Sequence, residues 1–336
     1  MVITLRAGLS GAGPIGLGVI QNVGLHNACD VVAVHDNLPG AAKRLADGSS
    51  LGYSTESFEK LLAYGVDFVV LTGPLEDRLA QVKLACEQSV PCLVHAPVAP
   101  DLATAKEMTA ICAAHEVRLG VYVRSQADPV VEQLRRMIAA DWLGGVVCVQ
   151  SIIGDDELLR TGSITHSGDP FVTLASEHVH ITTWLTSRQA TSVTAQTMRS
   201  FAPDLDDGGV ATVVLRGNIP CTYITSRLTR ANAFAVHGTD GGVRIAGDRI
   251  WLTGQRPFQG HVFDYETPGI EQVLSRRDLQ NALAAHRAGS ELHGRFARWL
   301  EDTDDYPCPI EQAIIDFETI DAMTRAARDG RTIKLS

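Results

Sequence analysis

Two groups of residues in this 336-residue chain have the types and spacing to do chemistry. The first is Gly11-Ala12-Gly13-Pro14-Ile15-Gly16, a glycine-rich turn that follows a short apolar run and opens a helical pattern. In that context Gly11 permits the tight turn, Gly13 lets a pyrophosphate approach the backbone, and Gly16 lets helix and strand pack closely. The helix N-terminus adds unpaired N–H groups and positive partial charge for the phosphates. Asp36 ends the next strand, 20 residues after Gly16. A carboxylate there accepts from both ribose hydroxyls of an adenosine and repels a 2′-phosphate. The pattern implies a dinucleotide site that favours NAD over NADP, with Lys43 and Arg44 close enough in sequence to leave some NADP use open.

The second group lies on a predicted helix running from Pro170 to Thr186. Thr173, Glu177, His180 and Trp184 are spaced i, i+4, i+7 and i+11, so they share one face. A carboxylate and an imidazole one turn apart can act as an acid–base pair. His178 lies about 100° round the helix from Glu177. The same residues also fit a buried, hydrogen-bonded polar cluster, and both readings stand at this stage.

The elements that must position these groups follow from the apolar patterning. Val2 to Leu9, Asp30 to Asp36, Val66 to Leu71, Pro91 to His95 and Val117 to Val123 read as short buried strands. Helical stretches separate them: after Gly16 to about Gly24, Pro39 to Leu45, Glu56 to Ala63, Glu76 to Glu87, and Asp101 to His115, with Asp101 as N-cap. Alternation of this kind implies an α/β Rossmann fold, a doubly wound parallel sheet that binds ligands at the carboxyl ends of its strands. The loops at those ends are Ser10–Gly16, Asp36–Asn37, Thr72–Leu75 and His95–Pro97. Beyond Arg124 the alternation stops. Helices at Pro129–Ala140 and Pro170–Thr186 flank a strand at Gly144–Ile152. Strands then follow in series at Ala190–Met198, Gly209–Leu215, Pro220–Arg227, Ala231–Gly238 and Val243–Leu252, with a hairpin turn through Gly241-Gly242. A long amphipathic helix, Ile310–Arg328, and a strand at Thr332–Leu335 close the chain. The expected division is a dinucleotide-binding domain over 1–124 and an α+β domain with a mostly antiparallel sheet over 125–336.

Composition narrows the function. Net charge is −10, from 39 acidic and 29 basic residues, which argues against nucleic acid as a partner. The seven cysteines are odd in number, form no CxxC and lie mostly in apolar runs, as in a reduced, cytoplasmic protein. No signal peptide and no membrane span is read. No HxxxH or HExxH spacing suggests a metal. Arg227 and Arg230 flank a strand end and are expected on a solvated rim.

GAGPIG, Asp36, VDFVVLTGP, the strand into HAPVAP and the closing LEDTDDYPCPIEQAIIDFETIDAMTRAARDGRTIKL resemble the glucose–fructose oxidoreductase / inositol dehydrogenase (Gfo/Idh/MocA) family. The resemblance implies a Rossmann domain followed by an open-faced antiparallel sheet through which copies pair, as a homodimer or homotetramer. It implies an NAD(P)-dependent dehydrogenase or reductase acting on CH–OH groups. Hydride would pass between nicotinamide and a hydroxyl or carbonyl carbon of a small sugar-like or cyclic polyol. Thr72, Gly73 and Pro74 correspond to the loop against the nicotinamide ribose. His95 and Pro97, at a strand end near the cleft, join Gly11, Gly13, Pro14, Ile15, Gly16 and Asp36 as cofactor contacts; Arg124, which ends the fifth strand near the cleft, has three readings, as a contact to cofactor, as a contact to an anionic substrate, or as an ordinary salt bridge. Arg78 stands where a histidine is common and is given no role.

The departures matter. Where the family has Glu-Lys-Pro this chain has His95-Ala96-Pro97. Loss of such a proton-handling group costs on the order of 10²–10⁴ in rate unless another replaces it. His95 is the nearest candidate, since imidazole titrates near neutrality; the other reading is that it faces the adenine side or packs against the sheet. The family's Asp-x-Gly-x-His-x-x-Asp falls, without gaps, on Thr173, Ala175, Glu177 and His180. Small slides bring His178 or His180 to the histidine position. The catalytic candidates are therefore Glu177, His180, His178 and His95. His166 and Asp169, in the loop THSGDP, are candidate substrate contacts. Two other readings remain open: a dinucleotide-binding sensor or subunit that has lost catalysis, and an enzyme that uses NAD transiently for elimination, hydrolysis or epimerisation.

Overall fold

A computed structural model describes residues 4–23, 27–156, 158, 168–201, 206–283 and 292–335. The chain divides into two compact units, 1–127 with 285–314 and 128–284 with 315–336.

The first unit is built on a parallel sheet. Its strands are β1 (Leu5–Ser10), β2 (Cys29–His35), β3 (Ser54–Thr55), β4 (Phe68–Leu71), β5 (Cys92–His95) and β6 (Leu119–Tyr122), in the order β3-β2-β1-β4-β5-β6. Helices α1 (Pro14–Val23), α2 (Ala41–Gly48), α3 (Phe58–Ala63), α4 (Arg78–Glu87) and α5 (Leu102–Ala114) make the crossovers. Leu9, Val34, Val69, Leu71, Leu93 and Val121 are all fully buried, as strands covered on both faces must be. Asp67 falls just before β4 and accepts the Arg6 amide at 2.7 Å, which removes the one charged residue from that apolar run. Asp101 caps α5, accepting the Thr104 amide at 2.8 Å, as read from the sequence.

One part of this unit comes from far along the chain. The Val121 amide donates to the Cys308 carbonyl, and Phe296 meets Phe68 edge to face with centroids 5.3 Å apart. The assignment of all of 125–336 to a second domain is corrected accordingly. Residues 292–309, including a helix over Leu292–Leu300 that the patterning did not mark, fill the core of the first unit.

The second unit carries α6 (Pro129–Ala139), β7 (Val146–Gly154), and a π-helical turn, Phe171–Ala175, that runs into α7 (Ser176–Thr186). Next come β8 (Ala190–Met198), β9 (Gly208–Leu215), β10 (Ile219–Ser226), β11 (Asn232–Gly238), β12 (Gly241–Ala246), β13 (Arg249–Gly254) and β14 (Gln272–Ser275). After these come α8 (Arg276–Leu283), α9 (Leu292–Leu300, in the first unit), α10 (Ile310–Asp329), divided between the units after Ile314, and β15 (Ile333–Lys334). Among the described residues, the strands of the second unit run β14-β13-β12-β11-β7-β10-β9-β8-β15, antiparallel except for the β7–β10 pair. Two expectations are corrected. Val243–Leu252 is a hairpin of two strands that turns at Gly247-Asp248, and the turn placed at Gly241-Gly242 lies two residues earlier, at Thr239-Asp240.

Among the described residues, which include all seven cysteines, none is disulfide-bonded. No helix among them is long and apolar enough to cross a membrane.

Candidate functional site

The glycine turn leaves the end of β1 as the spacing requires. Gly11 has φ +109°, a conformation L side chains rarely adopt, and a Cβ there would strike Thr72 Oγ1 and sit 2.6 Å from the Gly73 amide. A Cβ on Gly16 would run into the Gly11 carbonyl. Gly13 is different: nothing lies within 4 Å of the position its Cβ would take. The turn is therefore tight where it meets protein and open where a ligand would meet it. Thr72 closes it from β4, its hydroxyl reaching the Ser10 and Gly11 carbonyls at 3.0 and 3.1 Å. Asp36 closes it from β2. Its Oδ2 accepts the Ala12 amide at 2.7 Å and its Oδ1 accepts the Leu38 amide at 2.8 Å. Each carboxylate oxygen keeps a second lone pair for a ribose hydroxyl. The opening turn of α1 adds amides with no intrahelical partner. These residues fit a dinucleotide diphosphate and an unphosphorylated ribose.

Beneath the turn, Gln81 donates to Ser10 Oγ at 3.0 Å, and Ser10 Oγ meets His35 Nδ1 at 3.0 Å. Burial pulls the pKa of His35 down.

Arg78, given no role from sequence, is the anchor of the neighbouring loops. It is only 4% exposed. Its guanidinium donates to the Gly73 carbonyl at 3.1 and 3.2 Å, to the His95 carbonyl at 2.6 Å, and to the Pro97 carbonyl. One side chain thus ties the loop after β4 to the loop after β5, where the Ala96–Pro97 bond is cis. Burial brings its pKa down to about 10, so it stays charged at neutral pH.

His95 stacks on Tyr122 with centroids 4.2 Å apart, and Tyr122 stacks on His293 at 4.5 Å. The residue as a whole is half-buried, but its Nε2 is enclosed and has no partner among the described residues. Burial, then the neighbouring His293, Arg78 and Arg124, hold its pKa well below the usual imidazole value. His95 is neutral at physiological pH. Arg124 itself is exposed.

In the second unit, α7 carries the other candidates. His180 is buried, and its Nδ1 lies 2.7 Å from Asp316 Oδ2 on α10, with side-chain exposures of 0% and 3%. The carboxylate that engages His180 is thus Asp316, not the half-buried Glu177 expected from the helix face. His178 is held by Ser151 of β7, Nδ1 to Oγ at 2.8 Å, and meets Phe234 edge to face. The π-turn interrupts the α-helical spacing, so Thr173 leaves the shared face. It instead accepts from Arg227 at 2.8 Å. Arg227 is correspondingly buried, at 1% exposure, and also donates to the Gly168 carbonyl. The expectation of a solvated rim is corrected for Arg227. Arg230 is exposed beside Asp156 as expected. Asp169 turns its Oδ1 onto the Phe171 amide at 2.6 Å, capping the π-turn. His166 lies outside the described residues.

Residues 131–244 match the family model of the GFO/IDH/MocA C-terminal domain. Comparison with known proteins extends the likeness along the chain. A curated relative, the dehydrogenase aclE of Aspergillus oryzae, is 22% identical over 90% of this chain and 88% of its own length. An oxidoreductase of Agrobacterium radiobacter, crystallised with NAD+, L-tartaric acid and magnesium, superposes with a TM-score of 0.82. It is 16% identical, with 99% of this chain and 98% of that one covered. The WlbA dehydrogenase of Bordetella pertussis, crystallised with NADH and UDP-GlcNAcA, gives 0.81 at 20% identity, covering 99% and 98%. The chain therefore has the fold of these proteins: a Rossmann-like parallel sheet with helices, joined to a mixed, mostly antiparallel sheet.

Proposed function

We propose that the protein is an NAD-dependent oxidoreductase of the GFO/IDH/MocA type. In this reading it moves hydride between nicotinamide and a hydroxyl or carbonyl carbon of a small sugar-like or cyclic polyol. The observation that carries the reading is the glycine turn, tight at Gly11 and Gly16, open at Gly13, and braced by the Asp36 carboxylate. The aclE dehydrogenase and the NAD-bound neighbours support it. Bound NAD would supply the hydride acceptor. The chain's own residues do the rest. Gly13 and the α1 amides receive the diphosphate, Asp36 receives the adenosine ribose, and Thr72, Gly73 and Pro74, held by Arg78, form the wall of the nicotinamide ribose. His180 and His178 on α7, with Glu177, are the groups for proton transfer to or from the substrate oxygen. His95 takes a different part from the lysine of the resemblance: a neutral imidazole accepts or donates a hydrogen bond but supplies no fixed cation. Calorimetry with NAD and NADP tests the cofactor, with tighter binding expected for NAD than for NADP. A panel of sugars, sugar acids and cyclic diols followed by NADH absorbance tests the reaction. Absence of heat with either nucleotide overturns the reading.

Ala96 favours a second reading, a nucleotide-binding sensor or subunit without turnover. That reading expects NAD binding together with silence across the whole substrate panel.

We also infer that copies pair through the open face of the second unit's sheet. Ile152, Ile224 and Val210 sit side by side on β7, β10 and β9, each 37–38% exposed. Ile224→Glu is expected to lower the sedimentation coefficient to that of a monomer of 36.1 kDa. A wild-type protein that sediments as a monomer removes the inference.

A further inference from the structure

We propose that Asp316 is a positioning residue that fixes His180 in the tautomer able to take a proton from the substrate. This rests on the oxidoreductase reading above and adds to it a residue on a distant element, 136 positions away along the chain.

Three observations converge. Asp316 Oδ2 lies 2.7 Å from His180 Nδ1, with both side chains essentially out of solvent. A carboxylate is an acceptor only, so the imidazole proton is held on Nδ1 and the lone pair is left on Nε2. That Nε2 is itself buried and has no partner among the described residues. An enclosed ring nitrogen without a partner is unfavourable, and a ligand hydroxyl would relieve it. Finally, His178 is already engaged by Ser151 and by the edge of Phe234. Of the two histidines, His180 is the one whose enclosed Nε2 has no partner among the described residues.

Tyr223 of β10 hydrogen-bonds Thr182 and lies close enough to feel the Asp316 charge; burial, the largest effect on it, raises its pKa well above the usual value, so it stays neutral. Glu177 and His178 share α7 with His180, and Arg135 of α6 packs over Trp184 instead. Asp316 is thus the carboxylate that orients His180 and balances the charge that develops when His180 takes up the hydroxyl proton as hydride departs. A buried carboxylate bonded to a catalytic imidazole plays this part in acyl transfer; here the same pairing would serve alcohol oxidation.

The test compares wild type with Asp316→Asn, using histidine-labelled protein and His180→Gln to assign the signals. In 15N spectra wild-type His180 is expected to show a protonated Nδ1 and a pyridine-like Nε2. In Asp316→Asn, whose carboxamide can donate to Nδ1, the pyridine-like signal is expected to move wholly or partly to Nδ1. With a polyol that the wild type oxidises, kcat is expected to fall about 10²–10⁴-fold while KM and the NAD dissociation constant stay within twofold. Identical tautomers in the two proteins overturn the proposal even if the enzyme is active. An unchanged kcat in the variant overturns it too. A wild type that binds NAD and shows the expected tautomer, yet turns over no substrate, overturns the oxidoreductase reading and with it the role in proton transfer, leaving the pairing as a feature of the fold.

Discussion

The Asp36 carboxylate accepts the Ala12 amide at 2.7 Å, so the acidic residue at the end of β2 braces the very turn whose ligand it is proposed to recognise. The two tasks are not separable by distance, but they are separable by chemistry. Asp36→Asn keeps an oxygen to accept the amide and loses the charge. It is expected to weaken NAD binding about 10- to 100-fold, the worth of a charge-assisted hydrogen bond, and to narrow the preference for NAD over NADP. Asp36→Ala is expected to cost more and to lower thermal stability as well. Calorimetric titration of both variants with both nucleotides checks the order.

The three glycines of the turn should respond differently to the same methyl group. Gly11→Ala and Gly16→Ala force a Cβ onto Thr72 and Gly73 or onto the Gly11 carbonyl, and both are expected to lose stability and binding together. Gly13→Ala meets no protein atom. It is expected to keep its melting temperature within a few degrees and to lose NAD affinity by tenfold or more. Retained affinity in Gly13→Ala places the diphosphate elsewhere.

Arg78 links the carbonyls of Gly73, His95 and Pro97 through one planar fork. Lysine keeps the charge but not the geometry. Each buried carbonyl left without a donor costs about 1–3 kcal/mol, so Arg78→Lys is expected to lose at least one such increment in urea unfolding. Its NAD dissociation constant should rise while the unfolding slope stays the same.

What the sequence made legible here is local. The parallel sheet could be read because each strand is an apolar run bounded by turn residues, and the glycine turn because its three glycines and Asp36 keep a fixed spacing. What stayed hidden is what distant residues do to one another. Leu292–Leu300 gives no sign that Phe296 will pack on Phe68. The split of Val243–Leu252 turns on Gly247-Asp248, two residues within a stretch that otherwise reads as one strand. Arg227 reads as a surface residue because arginine usually is, and Arg78 has no role in the sequence reading, yet both are buried on backbone carbonyls. Helical spacing paired His180 with Glu177, the carboxylate visible on the same face. Asp316 comes from another helix, and the π-turn before α7 takes Thr173 off the face the spacing assumed, while Glu177 and His180 both lie within α7.

His95 makes the stability of the first unit sensitive to acid. Its folded-state pKa lies well below 6.5, chiefly through burial and then through His293, Arg78 and Arg124. The unfolded chain therefore binds a proton at this residue that the folded chain refuses. Its stabilising contribution is complete above pH 6.5 and is lost as the pH falls from 6.5 toward the lowered folded value. The slope from one such group is at most about 1.4 kcal/mol per pH unit. His35 is shifted the same way and adds to the wild-type slope, but it is common to both proteins in the comparison of wild type with His95→Phe. The phenyl ring keeps the stack on Tyr122 and removes the titration. Urea unfolding at a series of pH values between 7.5 and 5, a range set about the imidazole value, is expected to show a shallower fall for His95→Phe, the two curves converging as the pH drops. Curves that stay parallel would mean that the His95 ring takes up its proton in the folded protein as readily as in the unfolded chain, and that Arg78 and His293 do not hold it neutral.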